Sequence, residues 1–207
     1  MRKHLIIILT ALFSTLCVGA QDMRTVFVAM PDSLFPLLTK VNREDCIDFL
    51  DSKMKAAVTN RFGKTSEMKA LTDDYAMAQM TEVSTLEMKL LTVDDSTRVV
   101  CVVHTVCAEA CDSEVKFYVS DWSRELDADA FLQLPTKESF FLPKDTLTEE
   151  DVLARKLAAM CLMKASLSAE DASVSFVLTT PDFLSREDGE RLREQLRGEP
   201  VRITLNK

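Results

Sequence analysis

The stretch that decides the fold of this chain is Val99-Val100-Cys101-Val102-Val103-His104-Thr105-Val106. β-Branched residues dominate it, and apolar side chains occupy both alternating sets of positions, a pattern typical of a strand buried on both faces. The flanking segments alternate apolar and polar residues, which indicates strands with one exposed face. Their apolar positions are Leu86, Met88 and Leu90 before the stretch, and Val115, Phe117 and Val119 after it. We therefore predict a central strand between two half-buried neighbours.

Short polar links join these segments. Asp94-Asp95-Ser96 and Ala110-Cys111-Asp112-Ser113 have the composition of hairpin turns between sequential antiparallel strands. Residues 56–60 and 75–81 have strand composition and extend the series towards the N-terminus. The middle of the chain is therefore predicted to be an antiparallel β-meander.

The N-terminal part is predicted to contain helices. Residues 25–30 are rich in β-formers and are expected to be extended, whereas Pro31 begins a short amphipathic turn. Asn42 is expected to cap a longer helix, with Asp45 three residues on in a capping-box arrangement. The expected buried stripe of this helix is Cys46, Ile47, Leu50 and Met54. Its acidic residues Glu44, Asp48 and Asp51 could bind calcium, but carboxylates that bind calcium converge from a turn and these are spread along a helix. We therefore expect them to form a solvated face.

The C-terminal part is predicted to alternate helices and strands. A helix begins at Glu149, and Ser185 caps a second helix that Gly198 ends. The expected buried face of the first helix is Leu153, Leu157, Met160 and Cys161. Strands are expected at residues 174–178 and 201–205, where apolar positions alternate.

The fold class that follows is α+β: N-terminal helices, an antiparallel meander, then a helix–strand–helix–strand block. Residues 123–147 interrupt the pattern with Pro135 and Pro143 around two phenylalanines, which is typical of a packed connection. Residues 21–207 are predicted to be a single domain, with two lobes joined by 123–147 as the alternative.

Several segments resemble a family of exported Bacteroidetes proteins that is catalogued only as a domain of unknown function. The segments are Met30-Pro31-Asp32-Ser33-Leu34, Asn42-Arg43-Glu44-Asp45-Cys46-Ile47-Asp48-Phe49, Lys89-Leu90-Leu91, and Phe117-Tyr118 with Asp121-Trp122. The resemblance covers most of the chain beyond residue 20. It implies a Gram-negative envelope or secreted setting and a single domain, and it brings no catalytic residues.

The first twenty residues have the pattern of a secretory signal peptide. Arg2 and Lys3 precede an apolar run that is too short to span a bilayer, and Val18-Gly19-Ala20 supplies small residues at the expected cleavage point. Acylation of Cys17 would instead tether a lipoprotein, but Leu16 and Ser14 stand in the reverse of the order that this processing needs. We therefore expect export to the periplasm or beyond, without a transmembrane span in the mature chain.

The charge and the glycine content exclude several kinds of partner. The net charge of −8 disfavours nucleic acid, because an acidic chain has no attraction for phosphates. The chain has only 4 glycines, and they are isolated, so no phosphate-binding loop or dinucleotide fingerprint is present. We expect no cofactor.

The cysteines favour a disulfide over a metal site. Beyond the leader the chain holds Cys46, Cys101, Cys107, Cys111 and Cys161, an odd number that leaves at least one unpaired in an oxidising compartment. Cys101 and Cys107 would lie about 20 Å apart along one strand, too far to share a metal ion. Cys107 and Cys111 flank a turn, so a hairpin disulfide between them is one alternative and two buried thiols the other.

Catalysis has few candidate residues. The chain has 2 histidines, and His4 belongs to the leader, so a serine or cysteine mechanism would depend on His104. His104 lies within a predicted strand, and Cys101 is three positions away and therefore on the opposite face. We expect a partly buried structural histidine and assign no catalytic residue.

One group of residues points to binding. Tyr118, Trp122 and Lys116 fall on the polar face of their strand, where an exposed aromatic pair would form a platform for a peptide, a sugar or a partner protein. The alternative is that a helix covers this face and both rings belong to the core. The leading hypothesis is a non-enzymatic binding module; the alternatives are an envelope hydrolase or a thiol enzyme that uses Cys107 or Cys111, and a structural subunit.

Overall fold

The computed structural model describes residues 21–94 and 97–206, and it has the predicted α+β class. The predicted leader, with Cys17, lies outside the described residues. The helices are α1 (Met23–Ala29), α2 (Lys40–Asp51), α3 (Glu149–Lys156), α4 (Thr180–Phe183) and α5 (Arg186–Arg193). The strands are β1 (Ala57–Thr59), β2 (Thr65–Leu71), β3 (Tyr75–Thr81), β4 (Ser84–Thr92), β5 (Arg98–Cys107), β6 (Cys111–Val119), β7 (Glu125–Leu126), β8 (Met163–Leu167), β9 (Ser173–Leu178) and β10 (Val201–Thr204). Short 3₁₀ helices occupy Ala128–Ala130, Lys137–Phe140 and Leu157–Ala159.

The seven strands β1 to β7 pair antiparallel in chain order, which confirms the predicted meander. β5 lies between β4 and β6 along its full length, and the register places His104 opposite Leu86 on one side and Glu114 on the other. A second, three-stranded antiparallel sheet has the order β10-β9-β8. The composition of β2 and β8 gave no strand signal, because polar or small residues occupy most of their positions.

A separate hydrophobic core covers each face of the large sheet. We call the face under α1 and α2 the front face; its core includes Phe27, Met88 and Val102. The three-stranded sheet and the C-terminal helices cover the back face, where Val103 and Phe176 are buried. Because both faces are covered, β5 is apolar on both sides, as its sequence predicts.

The N-terminal expectations need two corrections. Residues 25–30 belong mostly to α1: Asp22 caps the helix by accepting from the Thr25 amide, and the burial of Met23, Val26 and Phe27 follows a helical period. In α2 the cap is Thr39, with Asn42 as its capping-box partner at the third position, so the helix begins earlier than expected.

Two further corrections concern the expected buried stripes. Met54 follows the end of α2 and is exposed, although Cys46 and Ile47 are buried as expected. In α3 the buried residues are Asp151 and Ala154, whereas Leu153 is exposed. The burial of Asp151 follows from its hydrogen bonds, because it closes the Thr148 capping box and accepts from Lys144 and Gln195.

The remaining C-terminal expectations are partly confirmed. Ser185 caps α5 as predicted, but the helix ends at Arg193, so Gly198 is not its stop. Strands β9 and β10 lie where alternation places them. The turn between β5 and β6 is Ala108 to Ala110, and the expected turn residues 111–113 already belong to β6.

Candidate functional site

The candidate site is a groove beside the β5–β6 hairpin on the front face. His104 of β5 and Glu114, Lys116 and Tyr118 of β6 form its floor, because alternate residues of paired strands share one face. The groove encloses about 350 Å³. The other lining residues are Ser33, Leu34, Phe35, Pro36, Leu37 and Met80. We call this the front groove.

A buried arginine holds the outer wall of the front groove in place. Arg43 of α2 is only 1% exposed, and its guanidinium donates to the carbonyl oxygens of Val28, Met30 and Leu38. It also pairs with Asp32 at 3.0 Å. These bonds fix the loop 30–38 at both ends, so the wall is formed before any ligand arrives.

The loop has a second attachment to the meander. Arg61, in the turn after β1, pairs with Asp32 at 3.0 Å, and its amide donates to the Leu37 carbonyl at 3.1 Å. Asp32 therefore joins a buried and an exposed arginine, and the wall is tied to the sheet as well as to α2.

The floor of the groove has both neutral and charged groups. Burial lowers the pKa of His104, against the opposing effect of Glu114, and so favours the neutral imidazole. Phe35 lies edge-on to His104, with 6.2 Å between ring centres. Lys116 pairs with Glu114 at 2.8 Å, which raises the pKa of Lys116. The groove therefore combines an apolar wall with an ion pair on its floor.

The two aromatic rings do not form the exposed platform that we considered from the sequence. Tyr118 and Trp122 are 4% and 8% exposed, and their ring centres lie 5.3 Å apart. The indole Nε1 donates to the Val26 carbonyl of α1 at 2.9 Å, so the helix covers this face. Of the three residues proposed for binding, Lys116 and Tyr118 line the front groove, and Trp122 supports α1.

A second cavity opens at the outer edge of β6 and shares His104 and Glu114 with the front groove. It encloses about 490 Å³ and lies where β7 no longer covers the edge of the strand. Its lining residues are His104, Val106, Asp112, Ser113, Glu114, Val115, Leu134, Met163 and Phe176. We call this the edge pocket. Neither cavity was predicted, because loop 30–38, Leu134 and Met163 are distant in sequence from β6.

The described cysteines are arranged as one disulfide, two buried thiols and one partly buried thiol. Cys107 and Cys111 are joined by a disulfide across the ends of β5 and β6. Cys46, Cys101 and Cys161 are free, and burial raises the pKa of each thiol, that of Cys46 to about 11. None of these three thiols of the described chain has the lowered pKa of an activated nucleophile.

A buried polar cluster lies between the two sheets. Glu87 Oε2 accepts from the Tyr75 hydroxyl at 3.1 Å and from the Leu167 amide of β8 at 2.9 Å. Burial raises the pKa of Glu87, while the hydrogen bonds from the Leu167 amide and the Tyr75 hydroxyl, and the charge of Lys164, act in the opposite direction. Glu87 lines neither cavity, so its contacts tie β8 to the large sheet. Among residues 21–94 and 97–206 no group of three histidine, cysteine or acidic side chains is arranged to hold a metal ion.

Comparison with known proteins places the chain in a family. A family model described as a protein of unknown function, DUF3256, matches residues 15–205. The chain belongs to the DUF3256 family. The resemblance to a domain of unknown function is thereby confirmed.

A solved structure supports the fold assignment of this DUF3256 member. The chain is similar to a domain of an uncharacterized protein from Porphyromonas gingivalis W83, with 28% identity and a TM-score of 0.76. The match covers 88% of this chain and 93% of that one. No curated protein matches the chain. Over the described residues, no helix combines the length and apolar character needed to cross a bilayer.

Proposed function

We propose that this protein is an exported, single-domain binding module without catalytic activity, and that its ligand or partner occupies the front groove. The observation that carries the proposal is the wall of loop 30–38, which Arg43 fixes over a floor that includes His104, Glu114 and Lys116. Preformed concave sites with an apolar lining and a few polar groups are the usual form of binding sites.

Two features support export. The leader pattern of residues 1–20 is that of a secreted protein. The disulfide between Cys107 and Cys111 suits an oxidising compartment, since such bonds are rare in the cytosol. The localisation that we propose is therefore the periplasm or the exterior.

The groove favours a ligand with an apolar body and a polar end. Phe35 and Met80 offer apolar contact, whereas the ion pair of Lys116 and Glu114 offers a donor and an acceptor on the floor. Peptides, proteins and glycans all have such groups, and the net charge of −8 disfavours nucleic acids.

The test is a thermal-shift screen of the mature chain against a glycan panel and a peptide panel, followed by calorimetry of every hit. Lys116→Ala is expected to weaken binding at least about tenfold, the loss of one charge-assisted hydrogen bond. The matched control is Lys156→Ala, which removes an exposed lysine of α3 far from the groove. Binding that Lys116→Ala leaves unchanged would contradict the site, and turnover of a bound compound would contradict the non-enzymatic function.

A further inference from the structure

β6 has a strand neighbour on both sides over only part of its length. β5 pairs with it from Cys111 to Val119, whereas β7 lies opposite Phe117 and Tyr118 alone. Residues 111–116 therefore form an edge of the large sheet. Edges expose main-chain groups that can pair with another chain.

The hydrogen bonds of β6 show which residues direct their main-chain groups outward. Ser120 donates its amide to the Arg98 carbonyl, towards β5, at 3.0 Å. Val119 donates its amide to the Arg124 carbonyl, on the outer side, at 3.0 Å. These directions alternate along an antiparallel strand. The odd-numbered residues of β6 therefore direct their main-chain amide and carbonyl groups away from β5.

Ser113 and Val115 are the odd-numbered residues within the open stretch. Across residues 21–94 and 97–206, no hydrogen bond engages the amide or the carbonyl of either one. The outward carbonyl of Cys111 already accepts from the Thr179 hydroxyl, which marks one end of the open stretch. Two donors and two acceptors remain, spaced about 6.8 Å apart as in any antiparallel ladder.

The two cavities adjoin at this open edge and share His104 and Glu114 of the front face, and only the edge pocket continues around the edge to the back face. The front groove reaches Glu114 and Lys116 on the front face. The edge pocket reaches Val115, with Met163 and Phe176 of the second sheet forming its apolar side. Beyond β7 the chain leaves the edge, because Phe131 stacks on Phe117 at 4.9 Å on the back face.

We propose that the partner is an extended polypeptide segment that adds to β6 as a new strand, paired with Ser113 and Val115. The inference rests on the proposed binding function and names its ligand class. Strand addition draws affinity from main-chain hydrogen bonds and specificity from pockets that take alternate side chains. The unpaired amides and carbonyls match a polypeptide main chain, which presents donors and acceptors in the same alternation; a glycan does not.

The two cavities define which side chains the added strand carries. A residue that faces the edge pocket is apolar, because Leu134, Met163 and Phe176 line the pocket and Leu134 is 52% exposed. The next residue faces the front groove, where Lys116 and Glu114 favour a polar or charged side chain. The partner segment therefore alternates apolar and polar residues over about four to six positions.

The test begins with a library of random octapeptides displayed on phage and selected on the mature, disulfide-intact chain. The best peptide is then synthesised in two series, each with alternate amides N-methylated. One series removes the donors that face β6, and the other removes donors that face away. Strand addition predicts that the first series binds at least about tenfold more weakly and that the second binds as the parent does.

A pair of variants tests the protein side. Val115→Pro removes one outward amide and leaves the bonds to β5 intact, since proline is tolerated at sheet edges. It is expected to weaken the peptide at least about tenfold, whereas Val115→Thr, which keeps the amide, is expected to weaken it much less. The N-methyl series decides the question if Val115→Pro does not fold.

The other outcomes separate the two proposals. A peptide that binds equally in both N-methyl series overturns strand addition and retains a binding module. The same holds if the library gives no binder while a glycan from the screen binds the front groove. If neither the library nor the screen gives a ligand, strand addition and the binding function are both overturned.

Discussion

The two halves of β6 differ in strand pairing, in burial and in the cavities beside them. From Phe117 to Val119 the strand pairs on both sides, and Phe117 and Tyr118 belong to the two cores. From Cys111 to Lys116 it pairs with β5 alone, and both cavities open along it. One strand thus supplies stability with one half and an open edge with the other.

The difference follows from what the rest of the chain does at each end. Trp122 anchors α1 over one end of the strand through its bond to Val26, so this end is covered. At the other end Arg43 holds loop 30–38 at a distance that leaves the front groove. The binding features therefore depend on how the covering segments are fixed more than on β6 itself.

The largest expected effect separates the two halves by stability. Phe117→Ala removes a fully buried ring that stacks on Phe131, and we expect a loss of about 3–5 kcal/mol in the free energy of unfolding. Val115→Ala, in the open half, is expected to cost about 1 kcal/mol or less, because its side chain is partly exposed. Urea denaturation of both variants measures the difference. Equal losses in the free energy of unfolding would contradict the distinction between the two halves of β6.

A smaller effect is expected at the open end itself. Replacing Cys107 and Cys111 by serine removes a cross-link that closes a five-residue loop, and we expect a loss of about 2 kcal/mol. The peptide affinity is expected to fall as well, because the hairpin carries Glu114 and Lys116. Cys161→Ser is the matched control, since that thiol is free. A double variant as stable as the parent chain would show that the cross-link does not hold the open half.

The smallest expected effect concerns the back wall of the edge pocket. Glu87 holds β8 through the Leu167 amide, and burial raises its pKa above the ordinary value of 4.5. A carboxyl with a raised pKa in the folded state favours folding at pH below its unfolded value, and this contribution is lost as pH rises through the folded value. Glu87→Gln is therefore expected to gain stability relative to the parent chain as the pH rises above the ordinary carboxyl pKa of 4.5.

Thermal unfolding at several pH values measures the Glu87 effect. Glu109→Gln serves as control, because its carboxyl lies on the exposed turn between β5 and β6. A stability difference between Glu87→Gln and the parent that does not change with pH would contradict the assigned role.

Much of the fold is predictable, because the periodicity of apolar residues indicates which segments are strands and which of their faces are buried. The continuous apolar pattern of residues 99–106 predicts burial on both faces, and the alternation of Val115, Phe117 and Val119 predicts a strand beside it. The prediction of an extended segment at residues 25–30 is wrong, because tertiary packing of one face of α1 outweighs the weak helix propensity of its β-branched residues. The helical spacing of the apolar residues Met23, Val26 and Phe27 is the sequence signal for α1.

The candidate site was only partly predictable. Lys116 and Tyr118 were identified from their strand face, but the burial of Trp122 depends on α1, which lies almost a hundred residues earlier. The open edge has no sequence signal, because it results from the two-residue length of β7 and from the direction the chain takes after it. Pockets built from distant segments need tertiary structure before they can be identified.

The measurement that tests the account most directly is amide hydrogen exchange along β6. NMR monitors the exchange in the mature chain with and without the selected octapeptide. The account predicts fast exchange at Ser113 and Val115 in the free protein, slow exchange at Glu114, Lys116 and Val119, and slowing of the two fast amides when the peptide binds. Amides of Ser113 and Val115 that are already as protected as their neighbours in the free protein would contradict an open edge.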